Sequence, residues 1–267
     1  MTTTLGSREA KEVATNPEWA ALLVGMLAGR GVQEGDTVGI MASGSFPGLA
    51  LASLSAVSAL KAEPLLMVSL GASSFGANVR GGTILDLIGW VRQAGVLNVE
   101  SALASPGGED DAGGGVSAEG WQWFVEAADR SGNDLARFGS LGESISHCTA
   151  MLEQAGVSAV VNVGGGQAAV GRCPHTAVLP VGLWTGVPAC RCTERGVLAR
   201  LGEAGVPVIH LLSIRRLAAL NGLDTEPGIG YNDNGPPTTR VRPRKPWILA
   251  VLAVVMFPLV LPGRMQQ

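Results

Sequence analysis

The chain has 267 residues, of which 46% are hydrophobic, 15% are charged and 38 are glycine. That is too apolar and too weakly charged for a disordered chain, and long enough for one large domain or two small ones. All 22 acidic residues and 14 of the 19 basic ones precede position 240, so that part carries −8 and the remainder +5. An acidic body lacks the basic footprint that nucleic-acid binding requires, whereas the basic end suits anionic lipid headgroups.

Ser7 to Gly29 carries Ala10, Val13, Ala14, Ala20, Ala21, Val24 and Leu27 at partial helical spacing, which predicts a helix interrupted at Asn16-Pro17. After a Gly35-Asp36 turn comes a predicted strand, Thr37 to Ala42, then the loop Ser43-Gly44-Ser45-Phe46-Pro47-Gly48. Leu49 to Leu60 follows as a helix, with Pro47 placed near its first turn. A second unit repeats the order: strand Leu65 to Leu70, a Gly-rich loop from Gly71 to Asn78, and helix Thr83 to Ala94. Ser105 to Gly115 is an acidic, Gly-rich loop, and His147 falls in a helix. A third strand spans Val157 to Val163 before Gly164-Gly165-Gly166-Gln167, and a fourth, Val206 to Leu211, precedes a helix from Ser213 to Leu220. Short apolar strands alternating with helices imply right-handed βαβ units and a mostly parallel, Rossmann-like sheet.

Tyr231 to Pro246 has no apolar period and reads as a linker, with Arg240, Arg242, Arg244 and Lys245 at its end. Ile248 to Leu261 then carries no charge and no side-chain amide. A run without a polar face enters either lipid or a core. Residues 247–263 would span ~25 Å as a helix, slightly short of a hydrocarbon core, with Trp247 and the flanking cations able to reach the interface. The expected organisation is an α/β ligand-binding body at 1–230, a basic linker at 231–246 and a C-terminal transmembrane helix at 247–263. The cations before the apolar run keep the body cytoplasmic on the cell membrane, and nothing at the N-terminus reads as a signal peptide. The other reading of the run is a buried C-terminal core helix.

In an open parallel sheet, ligands bind beyond the carboxyl ends of the strands. Three Gly/Ser loops occupy that position: Ser43-Gly44-Ser45; Gly71, Ser73 and Asn78; and Asn162 with Gly164, Gly165 and Gly166. Hydroxyls and backbone N–H groups of this kind suit an anion, although each loop also serves simple chain reversal. Neither a Walker motif nor a dinucleotide fingerprint stands at the right place. Glu109-Asp110-Asp111 could hold Mg²⁺ or Ca²⁺, or could be a solvated loop. Asp86 stands in a first helical turn, where it favours the helix dipole or faces the second loop. His210 ends a strand and is the best-placed base for a loop serine, Ser43, Ser45 or Ser73, unless it is a core histidine. Cys148, Cys173, Cys190 and Cys192 read as reduced thiols, because Cys190-Arg-Cys192 does not match usual zinc spacing and arginines surround the set with Cys173 and His175.

Several short stretches together resemble a known family. They are Thr2-Thr3-Thr4-Leu5-Gly6, Ala10-Lys11, Thr15-Asn16-Pro17, Gly35-Asp36, Ser43-Gly44-Ser45-Phe46-Pro47 and Gly71-Ala72-Ser73 with Gly76-Ala77-Asn78. Gly107-Gly108 with Asp111 and Gly113, Asn162-Val163-Gly164-Gly165-Gly166 and Pro207-Val208-Ile209-His210-Leu211 complete the set. Over about residues 2–230 and the terminal apolar segment, the chain resembles the bacterial poly-gamma-glutamate system protein family. The resemblance implies work in the capsule machinery that makes and exports poly-γ-glutamate, with the other synthesis and export proteins as partners. It supplies no reaction and no cofactor. The expected function is a membrane-anchored accessory or assembly factor binding an anionic small molecule or polymer; the alternative is an enzyme on γ-glutamyl bonds or a phosphorylated substrate, using a loop serine and His210. The family's tryptophan in the second loop is Phe75 here, and an aromatic-acidic stretch before Asp86 is shortened.

Overall fold

The structure is a computed structural model and describes residues 1–174, 179–186, 192 and 194–225. Strand β1 (Thr2–Thr4) leads into helices α1 (Arg8–Val13) and α2 (Glu18–Ala28). They break at Asn16-Pro17, where Asn16 Oδ1 accepts the Glu18 N–H at 2.9 Å. Then come β2 (Thr37–Ser43), α3 (Pro47–Ala59) and β3 (Glu63–Ser69). The second Gly-rich loop contains the two-residue strand β4 (Ala72–Ser73) and leads to β5 (Asn78–Val79) and β6 (Gly82–Thr83) before α4 (Ile84–Gln93). Next are β7 (Ser101–Ser105), α5 (Ala118–Ser131), α6 (Leu141–Gln154), β8 (Ala159–Val163) and α7 (Gln167–Val170). The described chain closes with β9 (Gly182–Trp184), α8 (Val197–Glu203), β10 (Val208–Leu211) and α9 (Ile214–Leu220).

The main sheet has six strands in the order β7-β3-β2-β8-β10-β9; all neighbours are parallel except β9, which runs antiparallel to β10. The sheet is therefore mixed, with an antiparallel edge, and consistent with a Rossmann-like arrangement. From β2 the chain builds outward through β3 and β7, then returns to β8 on the other side of β2 and continues to β10. The switch in direction between β2 and β8 leaves a crevice where neighbouring connections diverge.

Strand parity sorts the side chains onto two faces. Ile40, Ala42, Leu66, Val68, Val161 and Val163 point to a core shared with α2, α3, α4, α5 and α9. Met41, Met67, Val160 and Val208 point to a second core made with α6, α7 and α8. Helix α6 lies so close to β2 that a Cβ on Gly39 would meet Leu152 Cδ2 at 2.4 Å. Trp19 is fully buried and donates its indole N–H to Val13 O at 2.9 Å, locking the α1–α2 corner.

The elements β7, α5, α8 and β9 go beyond the sequence reading. Both α5 and α6 start at serine N-caps, Ser117 and Ser140, and α5 ends at left-handed Gly132, which are legible local signals. Asp86 caps α4 in a reciprocal capping box with Thr83 and pairs with Arg130 at 2.9 Å. No helix among the described residues is long and apolar enough to cross a membrane, and the expected segment 247–263 lies outside the described residues, as does the linker 231–246.

Candidate functional site

The carboxyl ends of the central strands carry a row of hydroxyls. Ser43 of β2 is in register with Ser69 of β3, and Ser69 with Ser105 of β7. One step earlier, on the same face, lie Leu103, Met67, Met41, Asn162 and His210. A small cavity of ≈ 30 Å³ opens beside the serine row, roofed by Cys148 of α6, by Gly166, and by Ala168 and Ala169 of α7. It has room for about two waters or one small polar group. Asn162 lines it too and donates from Nδ2 to Gly164 O at 2.7 Å.

Asp111 closes this cavity. It is only 3% exposed and, among the described residues, has no cation within ion-pair distance. Instead Ser105 Oγ donates to Oδ1 at 2.8 Å and Ser144 Oγ to Oδ2 at 2.6 Å. Burial raises the Asp111 pKa above the usual carboxylate value, partly opposed by the hydrogen bonds from Ser144 and Ser105. The loop that presents it turns through Gly107, Gly108, Asp110, Asp111 and Gly113, all at positive φ. Aspartate tolerates the left-handed region, at a cost, and such strain collects where a side chain must be aimed. Burial pushes the Cys148 thiol up to about 12, and the nearby Asp111 charge acts in the same direction.

A second polar knot lies on the other side of the Ser43–Ser45 turn. Lys11 of α1 is 8% exposed and donates from Nζ to Ser73 Oγ at 2.7 Å and to Ser45 O. Its ammonium also sits 3.8 Å from the centre of the Phe46 ring. Burial lowers the Lys11 pKa to about 8. The Ser73 N–H donates to Ser45 Oγ at 3.0 Å, Ala77 N–H to Gly44 O at 2.7 Å, and Asn78 Nδ2 to Thr2 Oγ1 at 2.7 Å. β1 adds to β4 as a parallel partner, Thr2 facing Ala72 and Thr4 facing Ser73. A Cβ on Gly71 would meet Thr3 Cγ2 at 2.9 Å.

The three expected loops thus share one sheet edge but divide between two places. Ser43, Asn162 and Gly166 line the cavity with Asp111; Gly44, Ser45, Ser73 and Asn78 build the Lys11 knot, and Gly71 packs between Thr3 and the Asp111 loop. Gly164 joins the two, because at φ +91 a side chain there would strike Ser43 Oγ at 2.5 Å. Gly165 lies against Leu212. The acidic side chain lining the cavity is Asp111, whereas Lys11 lies outside it. Asp110 pairs with Arg172, Asp111 is held by serines, and among the described residues no three His, Cys, Asp or Glu side chains gather to hold an ion. His175 and Cys190 lie outside the described residues.

His210 is 1% exposed, neither ring nitrogen has a partner among the described residues, and it makes no hydrogen bond to Ser43, Ser45 or Ser73. Burial lowers its pKa to about 4. It sits beside Asn162 on the α6–α8 face of the sheet and is not engaged with a loop serine. The sequence reading missed Lys11, Ser69, Ser105, Ser144 and Cys148 as site groups. A visible trace existed: Ser69 and Ser105 end apolar strands, and Lys11 stands on the helical stripe of Ala14. No family model, curated protein or solved structure matches the chain.

Proposed function

We propose that the chain is a membrane-anchored accessory factor of bacterial poly-γ-glutamate synthesis or export, whose body binds a γ-glutamyl ligand at the carboxyl edge of its sheet. One observation carries the reading: stretches from Thr2-Thr3-Thr4, Lys11, Ser43-Gly44-Ser45, Gly71 to Asn78, Asp111 and Asn162 to Gly166 meet on that edge, around Asp111 on one side and Lys11 on the other. A γ-linked glutamate chain has an ammonium at its amino end and carboxylates along its length. The small cavity with a buried carboxylate that has no cationic partner among the described residues suits the ammonium, and the bulk of the chain would extend outward from it. Anchoring through 247–263 and a cytoplasmic body belong to the same proposal, supported by the apolar run and the cations before it.

Calorimetric titration of the full-length protein in detergent tests this reading, using γ-glutamyl oligomers with free and with acetylated amino ends. The free-amine oligomer binds, and the acetylated one binds at least ~10-fold more weakly, the worth of one charge-assisted hydrogen bond. Asp111→Asn removes the difference. Absence of binding by either oligomer overturns the proposal.

A further inference from the structure

We propose that Ser73 and Lys11 form a nucleophile–base pair, a second site on this edge that takes an acyl ester or amide. The inference goes beyond ligand binding and stands on different residues from the Asp111 cavity. The Ser73 hydroxyl and the Lys11 nitrogen are 2.7 Å apart, the reach that proton transfer requires. The two residues come from α1 and from the loop after β3, so their meeting is a product of the fold.

Lys11 is placed as a base rather than as an ion-pair partner. It has no carboxylate within ion-pair distance among the described residues. The charges of its own helix are otherwise engaged: Arg8 with Glu12 at 2.9 Å, and Glu9 with Ser7. From α9, Arg215 acts on Glu9. With one N–H given to Ser45 O, a neutral amine keeps its lone pair for the Ser73 O–H. Its lowered pKa leaves about a tenth of the amine neutral at pH 7, a useful fraction for general base catalysis.

The serine is equally constrained. Ser45 Oγ accepts its N–H, and Gly76 N–H donates to its carbonyl at 3.0 Å. Ser73 is only 8% exposed, and a Cβ on Gly6 would meet its Oγ at 3.0 Å, so glycine there preserves what opening the hydroxyl has. On either side, Leu5 is 96% exposed and Phe75 61% exposed, the latter at φ +62. This apolar pair offers a surface for the acyl portion of a substrate.

The step balances without any other reagent. Ser73 Oγ attacks the acyl carbon while its proton passes to Lys11 Nζ. The bond to the leaving alcohol or amine breaks, and the leaving group takes that proton. Water then attacks the acyl-serine, giving a proton to Lys11 that returns to Ser73 Oγ as the acid departs.

The test is covalent labelling of the full-length protein with a fluorophosphonate probe, read by peptide mass spectrometry. The expected result is one adduct on Ser73, formed at a rate that rises with pH through a midpoint near the Lys11 value of about 8. Lys11→Arg keeps a cation and its donors but cannot accept a proton, so labelling falls ~100-fold or more while the melting temperature stays within a few degrees. If the arginine variant does not fold, the pH midpoint and the loss of the adduct in Ser73→Ala decide instead. No adduct, an adduct elsewhere, or wild-type labelling of Lys11→Arg would each overturn the pair and leave Lys11 as a loop tie.

Discussion

Asp111 and Lys11 are two buried charges on one sheet edge, one on each side of the end of β2, and neither has a counter-ion among the described residues. Both are driven toward the neutral form by burial, the acid upward and the lysine downward. They differ in how the surroundings satisfy them. Asp111 receives two hydroxyls and lines the cavity; Lys11 gives to a carbonyl, a hydroxyl and an aromatic face and lies outside that cavity. The contrast teaches that burial is the largest influence on the direction of both pKa values, whereas donor geometry decides whether the group can receive a ligand or exchange a proton with a neighbour.

The sharpest way to break the comparison is at the acid. Asp111→Leu strands the buried Ser105 and Ser144 hydroxyls at a backbone position with φ +56 that a branched side chain resists. A loss of ~2–5 kcal/mol in urea unfolding is expected, against under ~1 kcal/mol for the isosteric Asp111→Asn. Equal losses would mean that the loop, not the hydrogen-bonded pair of serines, carries the stability.

At the lysine, the comparison predicts an alkaline signature. The unfolded Lys11 titrates at 10.5 and the folded one at about 8, so the unfolded state holds more protons between those values. Stability contributed at this residue therefore rises from pH 8 to 10.5, by up to ~3 kcal/mol. Cys148 opposes it at the upper end, because its folded pKa of about 12 exceeds 9.0 and stability falls as pH passes through that window. The difference between wild type and Lys11→Met isolates the lysine; parallel curves would contradict the assigned burial.

His210 provides the acid-side counterpart. Its folded pKa of about 4 lies below the ordinary 6.5, so the unfolded state takes up a proton first as pH falls. Stability declines from pH 6.5 to 4, by up to ~3 kcal/mol, and Asp111 works in the opposite sense because its raised pKa favours the folded state on acidification. His210→Leu should flatten the acid limb in denaturant titrations, whereas an unchanged limb would place the acid sensitivity elsewhere. The smallest effect concerns Cys148. Native protein at pH 8 should leave it unmodified by iodoacetamide, and Asp111→Asn should raise its reactivity only slightly, since burial outweighs the acid's charge.

Chain chemistry alone specified much of the scaffold. Short apolar runs such as Thr37 to Ala42 and Val157 to Val163 read as buried strands, found at Thr37–Ser43 and Ala159–Val163, and the alternation of such runs with helices implies parallel crossovers. The break at Asn16-Pro17 and the Gly/Ser loops after strands were legible for the same local reason. The order β7-β3-β2-β8-β10-β9 was not, because register and neighbour choice depend on contacts between segments far apart in sequence. The pairing of charges with hydroxyls was decided there too. Lys11 reaches Ser73 across 62 residues and Ser144 reaches Asp111 across 33. The sequence shows that each group is polar; only the packed tertiary structure removes water from it and selects the partner that must take water's place.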